Sequence, residues 1–228
     1  MSVSLSENFT RYDQKLEFIL RTSARIFAEK GYHSTTMRDI SRETSVSLAG
    51  LYYYCKSKEE LLFLIQDNCF GRVHERLQER LQETTEPVEK LRLVIENHLS
   101  FFAANMAEMK VLSHEADSLA GEMREHVSGK KQQYTQLVRQ ILSEVQNAQG
   151  HSVPKIDLTV ATYALFGMMN WIYNWYDPRG LLSVTELVEN VTRLFLSGFL
   201  VGVSSEELQF RPETNKAERL SVWRAPLS

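Results

Sequence analysis

The chain has 228 residues, 43% of them hydrophobic, a formal net charge of −3, ten glycines and five prolines. This composition predicts a mostly helical, soluble protein with a hydrophobic core in one or two domains. The sequence has no run of eighteen apolar residues that could span a membrane, and residues 1–10 lack the apolar core of a signal peptide. Two cysteines are too few for a disulfide framework. We therefore expect a cytoplasmic protein without a membrane partner.

The chain begins with a helix predicted over Tyr12 to Lys30, because apolar residues recur on one face and Gly31 can end it. This helix is expected to brace the elements that follow. Residues 11–60 hold nine Lys or Arg and seven Asp or Glu, whereas the rest of the chain is acidic. A slightly basic head on an acidic body is typical of a DNA-binding domain joined to a separate sensing domain.

Two short helices are predicted next. Thr36 can cap the first, with Asp39 three residues later in the capping-box position. Residues 44–47 favour a turn, and Ser47 is the natural N-cap of a helix over Leu48 to Tyr54. Two short helices around such a turn form a helix-turn-helix, whose second helix can enter the major groove of DNA.

Residues 31–61, GYHSTTMRDISRETSVSLAGLYYYCKSKEEL, resemble the DNA-binding segment of the TetR family of bacterial transcriptional regulators. The elements that match the family pattern are Gly31-Tyr32, Thr35-Thr36, Ile40, Val46-Ser47, Leu51-Tyr52 and Lys56-Ser57-Lys58-Glu59. The chain departs from that pattern at Ser45, Ala49 and Cys55, so the family's base preference is not transferred. The resemblance implies a regulator that binds a double-stranded DNA operator.

The predicted DNA contacts divide by chemistry. Tyrosine hydroxyls, Thr36 and Lys58 can reach phosphates, whereas Ser47 and Arg38 are polar candidates for reading bases. Apolar residues at the start of the recognition helix can contact thymine methyl groups. The full predicted set is Thr35, Thr36, Arg38, Ser47, Leu48, Ala49, Gly50, Tyr52, Tyr53 and Lys58.

Five further helical segments are predicted. A fourth helix begins at the capping box Ser57–Glu60 and runs to about Leu81, and Pro87 begins the next. Its apolar stripe is Leu91, Val94, Ile95, His98, Leu99 and Phe102. Helical periodicity then continues after Gly121 and Gly129 to a stop at Gly150. Ile156 to Tyr176, after Pro154, is apolar almost all round, which predicts burial on every side. Ser183 to Glu186 caps a last helix from Val184 to about Val201.

Motifs for catalysis or metal binding are missing from the sequence. It has no glycine-rich phosphate loop, and the pairs His74-Glu75 and His114-Glu115 lack the second histidine of a zinc-protease helix. The six histidines show no metal-ligand spacing. We expect no enzyme activity, no metal and no cofactor.

A second group of candidate residues lies at 166–180. Trp171 and Trp175 are four residues apart, which places them on one face of a helix. Asn170 and Asn174 are costly to bury without hydrogen bonds. For Phe166 and its apolar neighbours, a core helix at a dimer interface is the simpler interpretation.

The same stretch, after Lys130-Lys131 and Tyr134, resembles a TetR subgroup that senses acyl-coenzyme A thioesters. That resemblance implicates Trp171, Trp175 and Arg179 near the CoA portion, with an apolar tunnel for the acyl chain. The predicted ligand-binding residues are Phe101, Phe102, Met106, Met109, Lys131, Tyr134, Phe166, Asn170, Trp171, Asn174, Trp175 and Arg179, with Leu112 also available for the tunnel.

These observations predict an all-α homodimer: an N-terminal three-helix helix-turn-helix domain over 11–60, a larger helical effector-binding and dimerisation domain over 61–203, and a polar, poorly ordered tail over 204–228. A small effector, best matched by a long-chain acyl-CoA, would release it from a palindromic operator. One alternative is a TetR-type efflux regulator that senses aromatic cations through Glu115 and Asp117. Another is a helical enzyme or lipid carrier that uses the same apolar cavity.

Overall fold

The computed structural model describes residues 10–148 and 156–200, and within these ranges it contains helices and connecting segments without a strand. The predicted all-α class is confirmed. The helices are α1 Arg11–Lys30, α2 Met37–Thr44, α3 Leu48–Tyr54, α4 Lys58–Leu81, α5 Pro87–Ala103, α6 Met106–His114, α7 Gly121–Ala148, α8 Leu158–Asn170 and α9 Val184–Leu200. A 3₁₀ turn, Trp171–Asn174, follows α8 directly. No helix in the described ranges is long and apolar enough to cross a bilayer.

Local sequence signals determine where several helices begin. Oγ1 of Thr36 accepts from the backbone N–H of Asp39 at 3.2 Å, and the Asp39 carboxylate accepts from the backbone N–H of Thr36 at 3.0 Å, so the predicted capping box is formed. Ser47 caps α3, and Pro87 is the first residue of α5. Gly31 ends α1 with a φ of 85°, a value that glycine adopts without steric cost.

Ser57 caps α4, but its predicted capping box is only half formed. Its hydroxyl accepts from the backbone N–H of Glu60 at 3.0 Å, whereas the Glu60 carboxylate accepts from the backbone N–H of Lys56. The predicted domain boundary after residue 60 falls inside α4 and does not mark a structural break. Leu61, Leu62 and Ile65 from the first turns of α4 are buried in the core of the N-terminal head.

Two hydrophobic clusters hold the described residues together. The head cluster joins α1 to α3 and the start of α4 with Val111, Leu119 and Val127 from the body. The body cluster is built from α4, α5, α6, α7, α8 and α9. Because α6 contributes to both clusters, the head and the body pack against each other rather than meeting through a free linker.

Two sequence predictions in the body were wrong. The helical segment predicted after Gly129 begins earlier, because α7 starts at Gly121 and runs through Gly129 without a break. The stretch from Ile156 to Tyr176 is neither one helix nor buried on every side: the side chains of Val160 and Tyr163 are 63% and 64% exposed. In a single chain, these apolar side chains lie on the surface of the protein. The predicted stop at Gly150, the start at Pro154 and the tail 204–228 lie outside the described residues.

Candidate functional site: a DNA-binding head and a body cavity

The helix-turn-helix is held by close packing between its turn and its second helix. Leu51 is fully buried beneath α3, and Ser45 in the turn has a positive φ of 53°. A Cβ on Gly50 would lie 2.9 Å from Cγ1 of Val46 and 3.2 Å from Oγ of Ser47. A side chain at residue 50 would therefore require the side chains of Val46 and Ser47 to shift, whereas glycine fits without rearrangement.

Most of the predicted DNA contacts lie on the surface of the head. Thr36, Arg38, Ser47, Ala49, Tyr52 and Tyr53 are exposed, and Leu48 and Gly50 are partly exposed. Tyr53 is 73% exposed, and its ring packs edge-on against Tyr12 and Tyr54, with ring centroids 5.8 Å and 5.2 Å away. The ring is thus braced while most of its surface is accessible. That these residues contact DNA stays a prediction.

Two members of the predicted set serve the fold of the head instead. Thr35 is buried, and its hydroxyl donates to the carbonyl oxygen of Gly31 at 2.8 Å. Nζ of Lys58 donates to the carbonyl oxygens of Tyr32 and Thr35, at 2.8 and 2.9 Å, and lies 4.4 Å from the centre of the Tyr32 ring. An ammonium group with these partners is engaged inside the protein, so we withdraw Thr35 and Lys58 as DNA contacts.

The body contains a cavity of about 400 Å³ between α4, α5, α6, α7 and α8. Its volume lies within the range of small-molecule sites, and most of its walls are apolar. The lining residues are Phe70, Val73, His98, Phe102, Met109, Leu112, Ser113, Ala116, Lys131, Tyr134, Thr135, Tyr163, Phe166, Gly167, Asn170, Trp171 and Tyr173.

Three hydrogen-bonded polar side chains line this apolar cavity: His98 and Tyr134, which are buried, and Asn170, which is exposed. Nε2 of His98 lies 3.0 Å from Oδ1 of Asn170, and Nδ1 lies 3.3 Å from the hydroxyl of Tyr134. Burial lowers the pKa of His98 to about 4 and raises the pKa of Tyr134, so both groups are neutral near pH 7. A carbonyl oxygen only accepts, so Nε2 carries the proton and Nδ1 accepts from the tyrosine hydroxyl.

This arrangement leaves the side-chain N–H groups of Asn170 free to donate hydrogen bonds at the cavity. His98 holds the side-chain oxygen of Asn170, which fixes the orientation of the amide. Within the part of the chain that the structure describes, Nδ2 of Asn170 has no acceptor. The amide N–H groups of Asn170 can therefore donate to a carbonyl oxygen of a ligand in this cavity.

Seven of the twelve predicted ligand-binding residues line the cavity: Phe102, Met109, Lys131, Tyr134, Phe166, Asn170 and Trp171. Phe101 instead lines a separate crevice bounded by α1, α4, α5 and α6, and Met106 packs against the body core. That the seven residues bind a ligand stays a prediction.

The remaining three predicted residues, Asn174, Trp175 and Arg179, lie outside the cavity lining. Trp175 follows the 3₁₀ turn in a non-helical conformation, so the expected common face with Trp171 does not exist. The side chain of Arg179 is 91% exposed and lies 3.4 Å from Asp177. The prediction assumed one continuous helix to Tyr176, whereas α8 ends at Asn170 and a 3₁₀ turn follows; that these three residues bind a ligand stays a prediction.

His98 is one of the cavity residues that were not predicted from the sequence. It was assigned to the apolar stripe of α5, and its neighbours on that stripe are indeed buried. A histidine at a core position of an otherwise apolar stripe was the available signal, because a buried imidazole requires hydrogen-bond partners.

Helix α6 forms a common wall between the cavity and the head. Met109 and Leu112 line the cavity, and Val111 is buried in the head cluster. Beyond the end of α6, the carbonyl oxygen of Glu115 accepts from Nε2 of the buried Gln66 at 3.0 Å. A displacement of α6 by a ligand would therefore reach α4, whose first turns belong to the head.

The two acids considered for binding an aromatic cation are placed differently. The Glu115 carboxylate accepts from the hydroxyl of Ser118 at 2.6 Å and lies 3.8 Å from Nε2 of His33 in the head. Asp117 is exposed and lies 3.4 Å from Arg124. Neither acid lines the cavity.

Two stretches of the chain match models of known protein families. Residues 19–65 match the family described as "Bacterial regulatory proteins, tetR family", and residues 84–199 match "Tetracyclin repressor-like, C-terminal domain". The chain is 27% identical, over 184 residues, to a "Fatty acid metabolism regulator protein" of Bacillus subtilis (strain 168), covering 79% of this chain and 93% of that protein.

Two solved structures share the fold. A crystal structure of AibR in complex with isovaleryl coenzyme A and operator DNA matches with a TM-score of 0.70 and 28% identity, covering 79% of this chain and 97% of AibR. The ketosteroid transcriptional regulator KstR2 of Mycobacterium tuberculosis matches with a TM-score of 0.74 and 22% identity, covering 83% and 94%. At that identity the second match shows the fold alone.

Proposed function

Because the chain belongs to the TetR family of bacterial regulators, we propose that it is a homodimeric repressor, released from a pseudo-palindromic DNA operator by an acyl-CoA thioester. DNA-binding transcriptional regulation is the property of the family, and its members are regulators rather than enzymes. What we propose for this chain in particular is that it forms a dimer, that its effector is an acyl-CoA, and that the effector releases it from DNA.

The observation that carries the proposal is the position of α6 between cavity and head. One side of this helix lines the cavity through Met109 and Leu112, and Val111 packs into the head cluster. A ligand that fits only one position of α6 shifts the population towards that position, by as much as its affinity differs between the two states. The spacing of the two heads, and with it operator affinity, then depends on the ligand.

The lining of the cavity supports an acyl thioester as the ligand. Its walls suit an alkyl chain, and the fixed amide of Asn170 suits a carbonyl oxygen. AibR was crystallised with isovaleryl coenzyme A, and the Bacillus relative is named for fatty acid metabolism. Both descriptions concern those proteins, and they support the same chemical class here.

The outer surface of α8 and α9 supports a dimer. Val160 on α8 and Leu194 on α9 are large apolar side chains, each more than 60% exposed. Apolar surface of this kind marks interaction sites in soluble proteins. A two-fold dimer would place the two recognition helices about 34 Å apart, the distance between successive major grooves on one side of DNA.

The proposal is tested by titrating an operator fragment from the protein's own promoter with protein, in the presence of acyl-CoAs of increasing chain length. We expect acyl-CoA to weaken operator binding, and free CoA or the free fatty acid to act poorly. Each additional buried methylene contributes about 0.8 kcal/mol until the cavity is full. Calorimetric titration without DNA measures binding directly.

Absence of acyl-CoA binding at every chain length would contradict the effector assignment. Aromatic cations would then be the next compounds to test. A promoter fragment that binds no better than unrelated DNA would contradict the assignment as a regulator of its own operator.

A further inference from the structure

An open groove of about 590 Å³ runs between α7 and α8, next to the cavity. Lys131, Thr135 and Tyr163 line both spaces. Because three residues form a shared wall, a ligand that fills the cavity and extends past them enters this groove.

The charged side chains that line the groove are all positive within the described residues. Its lining includes Lys131 and Arg139 and, within the described residues, neither Asp nor Glu. The two cations are eight residues apart on α7, hence about 12 Å along the helix axis. The hydroxyls of Ser128 and Thr159 add further hydrogen-bonding groups.

Asp157 interacts electrostatically with Arg139, but its carboxylate is already engaged. The Asp157 carboxylate accepts from the backbone N–H groups of Thr159 and Val160, at 2.8 and 3.0 Å, and so caps α8. Arg139 itself donates to the hydroxyl of Thr159 at 3.1 Å and makes no ion pair within 4 Å in the described residues. Its guanidinium can therefore bind an anionic ligand without first breaking a salt bridge.

We infer that the groove between α7 and α8 binds the phosphorylated nucleotide portion of the acyl-CoA, with Lys131 and Arg139 on the phosphates and the Tyr163 ring against the adenine. This assignment rests on the proposed function. CoA carries phosphates at two places, a diphosphate and a ribose phosphate, and two separated cations suit them. A guanidinium binds phosphate in two-pronged geometry, and an exposed tyrosine ring offers a stacking surface.

The assignment replaces the sequence-based one, in which Arg179 bound the CoA portion. Arg179 lies outside the lining of both cavity and groove, and its own side chain lies beside Asp177. The two arginines are therefore matched candidates in one protein, and a pair of substitutions separates them.

The experiment is calorimetric titration of the full-length protein with the tightest-binding acyl-CoA of a chain-length series and with the corresponding acyl-pantetheine. The second ligand keeps the thioester but lacks the nucleotide and its phosphates. Arg139→Gln is expected to weaken acyl-CoA binding about tenfold, as for the loss of one charged hydrogen bond, and to leave acyl-pantetheine binding unchanged. Arg179→Gln is expected to change neither.

A second variant tests the same groove in case Arg139→Gln impairs folding. Gln132→Glu places a negative charge on an exposed residue of the groove, and we expect it to weaken acyl-CoA but not acyl-pantetheine. Thermal unfolding of both variants verifies that the fold is intact.

The inference is overturned if Arg139→Gln and Gln132→Glu leave acyl-CoA binding unchanged, or weaken both ligands equally. It is also overturned if Arg179→Gln alone weakens acyl-CoA. A wild-type protein that binds acyl-pantetheine and acyl-CoA with equal affinity uses no nucleotide site, which also contradicts it. A wild-type protein that binds neither ligand refutes the proposed effector itself, a result distinct from the others.

Discussion

At the scale of single residues, His98 is the clearest case of a side chain whose role depends on its partners. It lies in the middle of an apolar helix stripe and links Tyr134 on α7 with Asn170 at the end of α8. A neutral imidazole with both nitrogens bonded is satisfied inside an apolar core. The cost of burial is seen in its pKa, which is lowered to about 4.

This lowered pKa predicts a loss of stability in mild acid. Between pH 6.5 and pH 4 the unfolded state binds a proton at His98 and the folded state does not, so the free energy of unfolding falls as the pH falls through this window. At pH 5 the contribution of this histidine is a loss of about 2 kcal/mol relative to pH 7.5. Urea unfolding of wild type and His98→Gln at both pH values measures it.

The variant should lose less stability than wild type over the same interval, because glutamine has no proton to bind. Equal losses in the two proteins would contradict the burial of a neutral His98. All other ionisable groups are the same in both proteins, so the comparison isolates one residue.

At the scale of elements, a lysine clamp joins the start of α4 to the loop before α2. Lys58 lies 26 residues after Tyr32 in sequence, yet its ammonium group reaches the backbone of residues 32 and 35. This clamp positions the loop that leads into the helix-turn-helix. Arg38 of α2, by contrast, is exposed, as a side chain that contacts DNA must be.

The salt dependence of operator binding separates these two roles. Lys58→Met should lower the free energy of unfolding by about 1–2 kcal/mol, because it removes charged hydrogen bonds to backbone carbonyls. It should weaken operator binding without changing the slope of log affinity against log salt. Arg38→Gln should reduce the slope by about 0.9 for each phosphate that the protein no longer neutralises, with unchanged stability.

Lys56→Gln, an exposed lysine two residues before the clamp, serves as the matched control for stability. If Lys58→Met instead flattened the salt slope with unchanged stability, Lys58 would be a phosphate ligand after all.

At the scale of the whole molecule, the proposed function requires two heads at a defined spacing. In one chain the outer sides of α8 and α9 leave large apolar side chains in water. Covering this surface with a second copy would also fix the distance between recognition helices. The sequence predicted that residues 156–176 are buried on every side, and in this proposal such burial would occur only in the dimer.

A charge on this surface should separate the two copies. Leu194 is 68% exposed in the single chain, and Leu194→Glu would bury a carboxylate without a partner in the dimer. Such burial costs several kcal/mol, so we expect the dissociation constant of the dimer to rise about hundredfold or more. Light scattering measures the mass, and operator titration measures the accompanying loss of DNA affinity.

Thr185→Glu is the control, because residue 185 lies nine positions earlier on α9, about half a turn around the helix, and lines a groove facing α5. A dimer that survives Leu194→Glu with unchanged affinity would place the interface elsewhere. The fold of both variants is verified by their thermal unfolding.

Much of the fold was determined by short-range signals in the sequence. Thr36 with Asp39, Ser47, Ser57 and Pro87 begin helices through contacts within one turn of the chain, which is why these starts could be predicted. The helix-turn-helix was recognisable for the same reason, since its turn and both helices lie within twenty residues.

The tertiary structure decided which side chains share a site. Periodicity marks a residue as apolar-facing, but it does not separate a cavity wall from a packed core, so Phe102 and Phe101 could not be told apart. His98 and Asn170 meet across 72 residues of sequence. The 3₁₀ turn after Asn170 rotated Trp175 and Arg179 away from the cavity. Such contacts depend on how helices pack, and no local pattern encodes their distances.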